Sequence, residues 1–182
     1  MGKVYSELSQ GLIRWIDRQQ MFFVATAPLA AEGHINCSPK GMDSFRVLGP
    51  QEVAYLDLTG SGSETIAHLQ ENGRIVVMFC AFQGAPQILR LYGTGHVYEL
   101  GTTEFQQYTQ HFKRLPGARA VIRVRLSRIS DSCGYGVPLY DFQGQRETLS
   151  KWAQKKGETR LATYRQQKNR TSLDGLPGFG AS

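Results

Sequence analysis

Cysteine and histidine are scarce in this 182-residue chain, and their scarcity closes off whole classes of chemistry. The three cysteines, Cys37, Cys80 and Cys133, are odd in number, far apart and nowhere arranged as Cys-x-x-Cys. That argues against a disulfide framework or a zinc site and for reduced thiols in a cytoplasmic protein. The four histidines (His34, His68, His96, His111) never fall at metal-ligand spacing, so no metal is expected. No window approaches the roughly 20 apolar residues of a membrane span. The opening Met-Gly-Lys-Val-Tyr-Ser has no apolar run of the signal-peptide kind. Gly2 with Ser6 meets the loose myristoylation pattern, but Ser6 reads equally well as the N-cap of a first helix. Internal repeats and low-complexity tracts are missing too.

What remains is the composition of an ordinary globular domain, with 41% hydrophobic and 20% charged residues in a chain long enough to bury a core. The charge is uneven. Residues 151–170 carry Lys151, Lys155, Lys156, Arg160, Arg165, Lys168 and Arg170 against Glu158 alone, so this stretch accounts for the whole formal charge of +6. Such a face can be a solvated helix surface or can attract an anionic ligand. Nucleic acid is the weaker reading, because the aromatic residues of an RNA-binding platform are not interleaved with the charges.

Apolar periodicity supplies the elements. Leu8, Leu12, Trp15 and Ile16 form a helical stripe over 6–20. Strands are expected at 21–27, from His34 to Ser38-Pro39, at 45–48 and 51–58 about a Gly49-Pro50 turn, at 74–81, at 87–99 and from Val121 to Ile129. A helix from about 63 stops at Asn72-Gly73, and Thr103-x-x-Gln106 caps another. Only one helix sits between strands as a crossover, which excludes the repeated unit of a dinucleotide-binding fold. The expected fold is mainly β: six to seven strands in a closed or partly closed antiparallel barrel with flanking helices, which the family resemblance of its motifs specifies as a split barrel. Residues 1–145 are read as the barrel, and 146–182 as C-terminal helices and an extended tail packed on the same domain.

Three motifs carry chemistry. Leu58-Thr-Gly-Ser-Gly-Ser-Glu-Thr65 joins a strand to a helix through a turn rich in hydroxyls, aiming backbone N–H groups and a helix dipole at one spot suited to a phosphate. Ser61-x-x-Glu64 is also a capping box, which would satisfy the same amides without any ligand. Asn36-Cys-Ser-Pro-Lys-Gly41 ends a strand with a hydroxyl, a rigid proline and a cation able to pair with phosphate. Arg90 interrupts the apolar strand Gln87-Ile-Leu-Arg-Leu-Tyr and calls for a partner or a ligand.

Taken in order, these motifs resemble the pyridoxamine 5′-phosphate oxidase-like family of FMN-binding split barrels. The run is Met21-Phe-Phe-Val-Ala-Thr-Ala, Asn36-Cys-Ser-Pro-Lys-Gly, Leu58-Thr-Gly-Ser-Gly-Ser-Glu-Thr, Asn72-Gly-Arg-Ile-Val-Val-Met-Phe and Arg90-Leu-Tyr-Gly-Thr-Gly-His. The resemblance covers about residues 8–130 and implies a homodimer with FMN at the subunit interface. It places Ser38, Pro39, Lys40 and Gly41 against the phosphate and ribityl chain, with Thr59, Ser61, Ser63, Glu64 and Thr65 on the facing turn. Departures are equally specific. Asn36 stands near the family's arginine, Glu64-Thr65 replaces an Arg-Lys pair, and the C-terminal arginine motif is missing. These argue against vitamin B6 oxidation.

The leading expectation is therefore an FMN-dependent oxidoreductase acting on a small molecule, with no acid or base declared by the sequence. Cys133 and Tyr135 can either edge the flavin or form a simple turn. The alternatives are a flavin- or haem-binding protein without turnover, haem requiring His34, His96 or His111 as axial ligand, and a reductase using the deazaflavin F420, whose acidic tail would suit residues 151–170.

Overall fold

Alternation decides which way the long strands face. In β7 (Ile88–Glu99), Leu89 and Leu91 are fully buried, while Arg90 and Tyr92 between and after them point to the other face. The computed structural model describes residues 2–180. Ahead of β7 come β1 (Val4–Tyr5), α1 (Gln10–Asp17), β2 (Phe22–Thr26), β3 (Asn36–Lys40), β4 (Phe45–Gly49), β5 (Glu52–Leu58), α2 (Glu64–Asn72) and β6 (Arg74–Cys80). After it follow α3 (Thr103–Thr109), β8 (Ala118–Ser132) and α4 (Thr148–Lys168).

All pairings are antiparallel within one sheet, of order β3-β2-β6-β7-β8-β5-β4, with β1 added to β8. This is the mainly β, antiparallel split barrel with flanking helices read from the sequence. It has eight strands, the addition being the two-residue β1, which is too short for alternation to reveal. The sheet curls about a main core in which Val24, Val53, Val77, Leu91 and Ile122 are fully enclosed, joined by Leu12 and Ile16 of α1 and Ile66 and Leu69 of α2, while Ala54, Leu56, Phe105 and Val121 form a second cluster. Each such side chain contributes on the order of 1.5–3 kcal/mol by leaving water.

Helix α2 crosses between β5 and β6, which are not neighbours in the sheet. It stops at Gly73, whose φ of 71° only glycine adopts freely. Helix α4 is broken at Gly157 (φ 69°, ψ 163°), and Ala153, Leu161 and Arg165 are buried along its length. Beyond it the chain does not hang extended: Phe179 packs against the main core and Thr171 bridges to Pro177.

Helix starts differ from the sequence reading. Ser9, not Ser6, caps α1 by accepting from Leu12 N at 3.3 Å, because the preceding residues are drawn into β1. Thr102, not Thr103, caps α3 through Phe105 N at 3.1 Å. At α2 the N-cap is Ser63, which makes no capping bond, and the Ser61/Glu64 box does not form.

Candidate functional site

Register sorts the residues of β3. Asn36, Ser38 and Lys40 lie opposite Thr26, Val24 and Phe22, three buried side chains, whereas Cys37 and Pro39 share the other face with Ala25 and Phe23. Lys40 therefore reaches inward. Its ammonium lies 2.9 Å from Asp57 Oδ1 and 5.5 Å from the centre of the Tyr55 ring. Asp57, 1% exposed, also accepts from Arg119 Nε at 2.7 Å, and Arg119 donates onward to Gly62 O at 2.7 Å. Burial alone would raise the Asp57 carboxyl; attraction to Arg119 and Lys40 outweighs it and brings the pKa down to about 2. Burial and the Asp57 charge push the neighbouring Tyr55 hydroxyl well above its usual range.

The two turns singled out in the sequence do meet. Asn36 Nδ2 donates to Thr65 Oγ1 at 3.0 Å, and Ser38 donates to Asn36 Oδ1 at 3.2 Å. The facing turn, however, is engaged by the chain itself. Thr59 donates to Gly117 O at 2.8 Å and accepts from Arg165 Nη1 at 3.2 Å. Ser63 donates to Thr171 O at 3.1 Å, Asn169 Nδ2 donates to Gly60 O at 2.9 Å, and Leu173 N donates to Glu64 Oε1 at 3.3 Å. Gly178 lies so close that a Cβ there would fall 2.8 Å from Ser63 Oγ. A phosphate does not fit this turn with the C-terminal segment in place: two hydroxyls donate elsewhere, Lys40 is engaged by Asp57, and a carboxylate stands at the helix start. Ser61 alone of the turn's side-chain hydroxyls is exposed.

Arg90 is brought to neither turn. It lies on the outer face of β7 and donates to Ser132 Oγ at 3.0 Å. Of the residues that organise the turn, Arg119 and Asn169 are not among the sequence-derived site residues, and Arg165 enters only as one charge of the basic stretch 151–170. Arg119 lies in an otherwise apolar run and could have been flagged as Arg90 was; the contacts of Arg165 and Asn169 depend on the return of the C-terminal segment.

The open space lies to one side, in a cleft of about 1290 Å³. Pro39, Lys40 and Gly41 form part of its wall, and Trp15, Phe82, Tyr140 and Trp152 supply aromatic surface. Phe82 and Tyr140 stack with centroids 5.4 Å apart. Gln145 pins the outer wall to the barrel, donating to Gln20 O at 2.8 Å and accepting from Met42 N at 3.1 Å. Gly41 lies close to Gln145 and Gln20, since a Cβ there would fall 2.8 Å from Gln145 Oε1 and 3.2 Å from Gln20 O and would displace the Gln145 side chain. Met42 and Asp43 take left-handed φ values of 64° and 55°, a cost of roughly 1–2 kcal/mol each in a non-glycine residue. Backbone strain of this kind gathers at functional sites. Ser38, Thr59, Ser61, Ser63, Glu64, Thr65, Arg90, Cys133 and Tyr135 do not line the cleft, and neither do the four histidines. Among the described residues no group of three or more His, Cys, Asp or Glu could hold a metal, and no helix is long and apolar enough to cross a membrane.

A curled antiparallel sheet with a cleft at the end of β3 defines a split barrel, and known proteins specify which kind. Residues 10–133 match the sequence model of the pyridoxamine 5′-phosphate oxidase family. The pyridoxamine 5′-phosphate oxidase family protein ustO of Aspergillus flavus is 46% identical over an alignment of 194 residues, covering 96% of this chain and 77% of that protein. The chain belongs to the pyridoxamine 5′-phosphate oxidase family. HupZ from Group A Streptococcus shares the fold at 24% identity and a TM-score of 0.53, over 66% of this chain and 90% of that one. A HupZ variant gives 23% and 0.55, over 69% of this chain and 99% of its own.

Proposed function

We propose that this protein is an FMN-dependent oxidoreductase that works as a homodimer, with the flavin ring in the cleft against Pro39, Lys40 and Gly41. The observation that carries this reading is the cleft itself, whose walls are aromatic and whose rim carries amides. Binding sites for small molecules are commonly about 300–1000 Å³, so this one has room for a cofactor and a small substrate together. Trp15, Phe82, Tyr140 and Trp152 offer flat apolar surface that excludes water from a planar ring. Gln20 and Gln87 bring side-chain amides, which can donate and accept along a heteroaromatic edge. Gly41 lets the backbone approach closely. A bound flavin supplies hydride or electron transfer, while the protein supplies binding and orientation.

The dimer reading rests on the outer face of the sheet. Phe23, Met78 and Arg90 form one row across β2, β6 and β7, and Ala25, Val76 and Tyr92 form the next. These rows leave a half-covered apolar surface, and Tyr135, Leu139 and Tyr140 are exposed as well. A twofold pairing of such faces is self-complementary.

The test is the visible absorbance spectrum of the purified protein, recorded before and after adding FMN and desalting. Retained flavin bands are expected. A protein that keeps no flavin rules the reading out; a Soret band would replace it with haem, and a retained deazaflavin with F420.

A further inference from the structure

The charges around the cleft do not match the phosphate position that the sequence suggests. The cleft lining contains three cations, Arg18, Lys40 and Arg146, and one acid, Asp141. Lys40 is held by Asp57 at 2.9 Å. Arg18 and Arg146 are exposed, and neither guanidinium has an ion-pair partner among the described residues. Both line the cleft. Arg18 ends α1 two residues before Gln20, Arg146 follows Gln145, and Gln145 donates to Gln20 O at 2.8 Å. The hydrogen bond that closes the outer wall thus joins the two segments that carry these unpaired arginines. No residue of the Thr59–Thr65 turn lines that cavity.

We infer that the anionic end of the cleft's ligand is held by Arg18 and Arg146 and not by the Thr59–Thr65 turn. The inference rests on the flavin reading, for which the anion is the FMN phosphate. A guanidinium presents parallel N–H donors that match two phosphate oxygens, and two of them balance a dianion. At the turn, Ser63 already donates to Thr171 O, and Glu64 offers a like charge. The chain thereby replaces the cations that its Glu64-Thr65 sequence lacks with a pair from α1 and from the segment ahead of α4.

The experiment compares FMN with riboflavin, which has the same ring and no phosphate, by quenching of flavin fluorescence on the full chain. Wild type, the double variant Arg18→Gln/Arg146→Gln and the single variant Ser61→Asp are titrated. All three substituted positions are exposed, and melting temperatures check that folding is retained. The arginine variant is expected to lose at least tenfold in FMN affinity and under twofold in riboflavin affinity. Ser61→Asp, which sets a carboxylate on the turn, is expected to change FMN affinity less than twofold. The reverse pattern, with FMN lost in Ser61→Asp and kept in the arginine variant, overturns the inference and leaves the flavin reading standing. So does a wild type that binds riboflavin as tightly as FMN. A wild type that binds neither removes the flavin reading itself and the inference with it.

Discussion

Asp57 has two cations within 3 Å and almost no water, so removing its charge strands both of them. Asp57→Asn is expected to destabilise the fold by about 3–5 kcal/mol at neutral pH, read by urea unfolding followed through tryptophan fluorescence. The pH dependence has a fixed sign. The carboxyl titrates at about 2 in the folded state against an ordinary 3.8, so its contribution is complete above pH 3.8 and disappears as pH falls towards 2. That depression corresponds to roughly 2 kcal/mol. Wild type should lose about that much more stability across the interval than Asp57→Asn, because Asp43, Glu52, Asp131 and Asp174, whose carboxyls are also lowered by their partners, titrate in both. Single residues were also where the sequence was hardest to read. Lys40 was recognisable as a cation at a strand end, but not as one turned inward, because that depends on the pairing of Phe22 with Lys40. Arg90 was recognisable as a charge in need of a partner, and it found Ser132.

Strands and helices were far more legible than their ends. Apolar runs, alternation and the turn residues between them are enough to locate seven of the eight strands, since a sheet with one buried face writes its period into the chain. Cap residues were misplaced at all three N-termini examined in the sequence, because several serines and threonines competed within a few residues and tertiary pairing chose among them. The C-terminal segment was the largest gap. Asn169, Thr171, Leu173 and Gly178 have no periodicity, and their contacts with Gly60, Ser63 and Glu64 are all long-range. Gly178→Ala tests how firmly that segment is seated. Its Cβ would lie 2.4 Å from Asn169 O and 2.8 Å from Ser63 Oγ. A loss of about 1–3 kcal/mol is expected. Amide exchange should locate it, with Phe179 and Gly180 exposed faster and the β7–β8 amides unchanged. Unchanged exchange at those two amides would mean that the segment tolerates the methyl and is loosely held.

At the scale of the whole molecule, the apolar rows across β2, β6 and β7 predict the state of assembly. Phe23→Glu/Met78→Glu places two charges directly opposite one another on that face, and on the proposed homodimer reading sedimentation velocity should report a dimer for wild type and a monomer for the variant. Retained far-UV circular dichroism would separate this from unfolding, and a double variant that stays dimeric would move the interface elsewhere. Strand β8 has a different whole-molecule consequence. It pairs with β7 along nearly its full length, with β5 from Glu52↔Arg125 to Leu58↔Ala118, and with β1 at Val4↔Ser130. Only the β7 partner is close in sequence. The β7–β8 hairpin can therefore zip early, but its outer edge must wait for chain that was made long before it, and closing those loops costs entropy before any contact rewards it. Folding is accordingly expected to be slow, on the order of milliseconds to seconds, with β5 and β1 expected to arrive last on a strand that stands open until then.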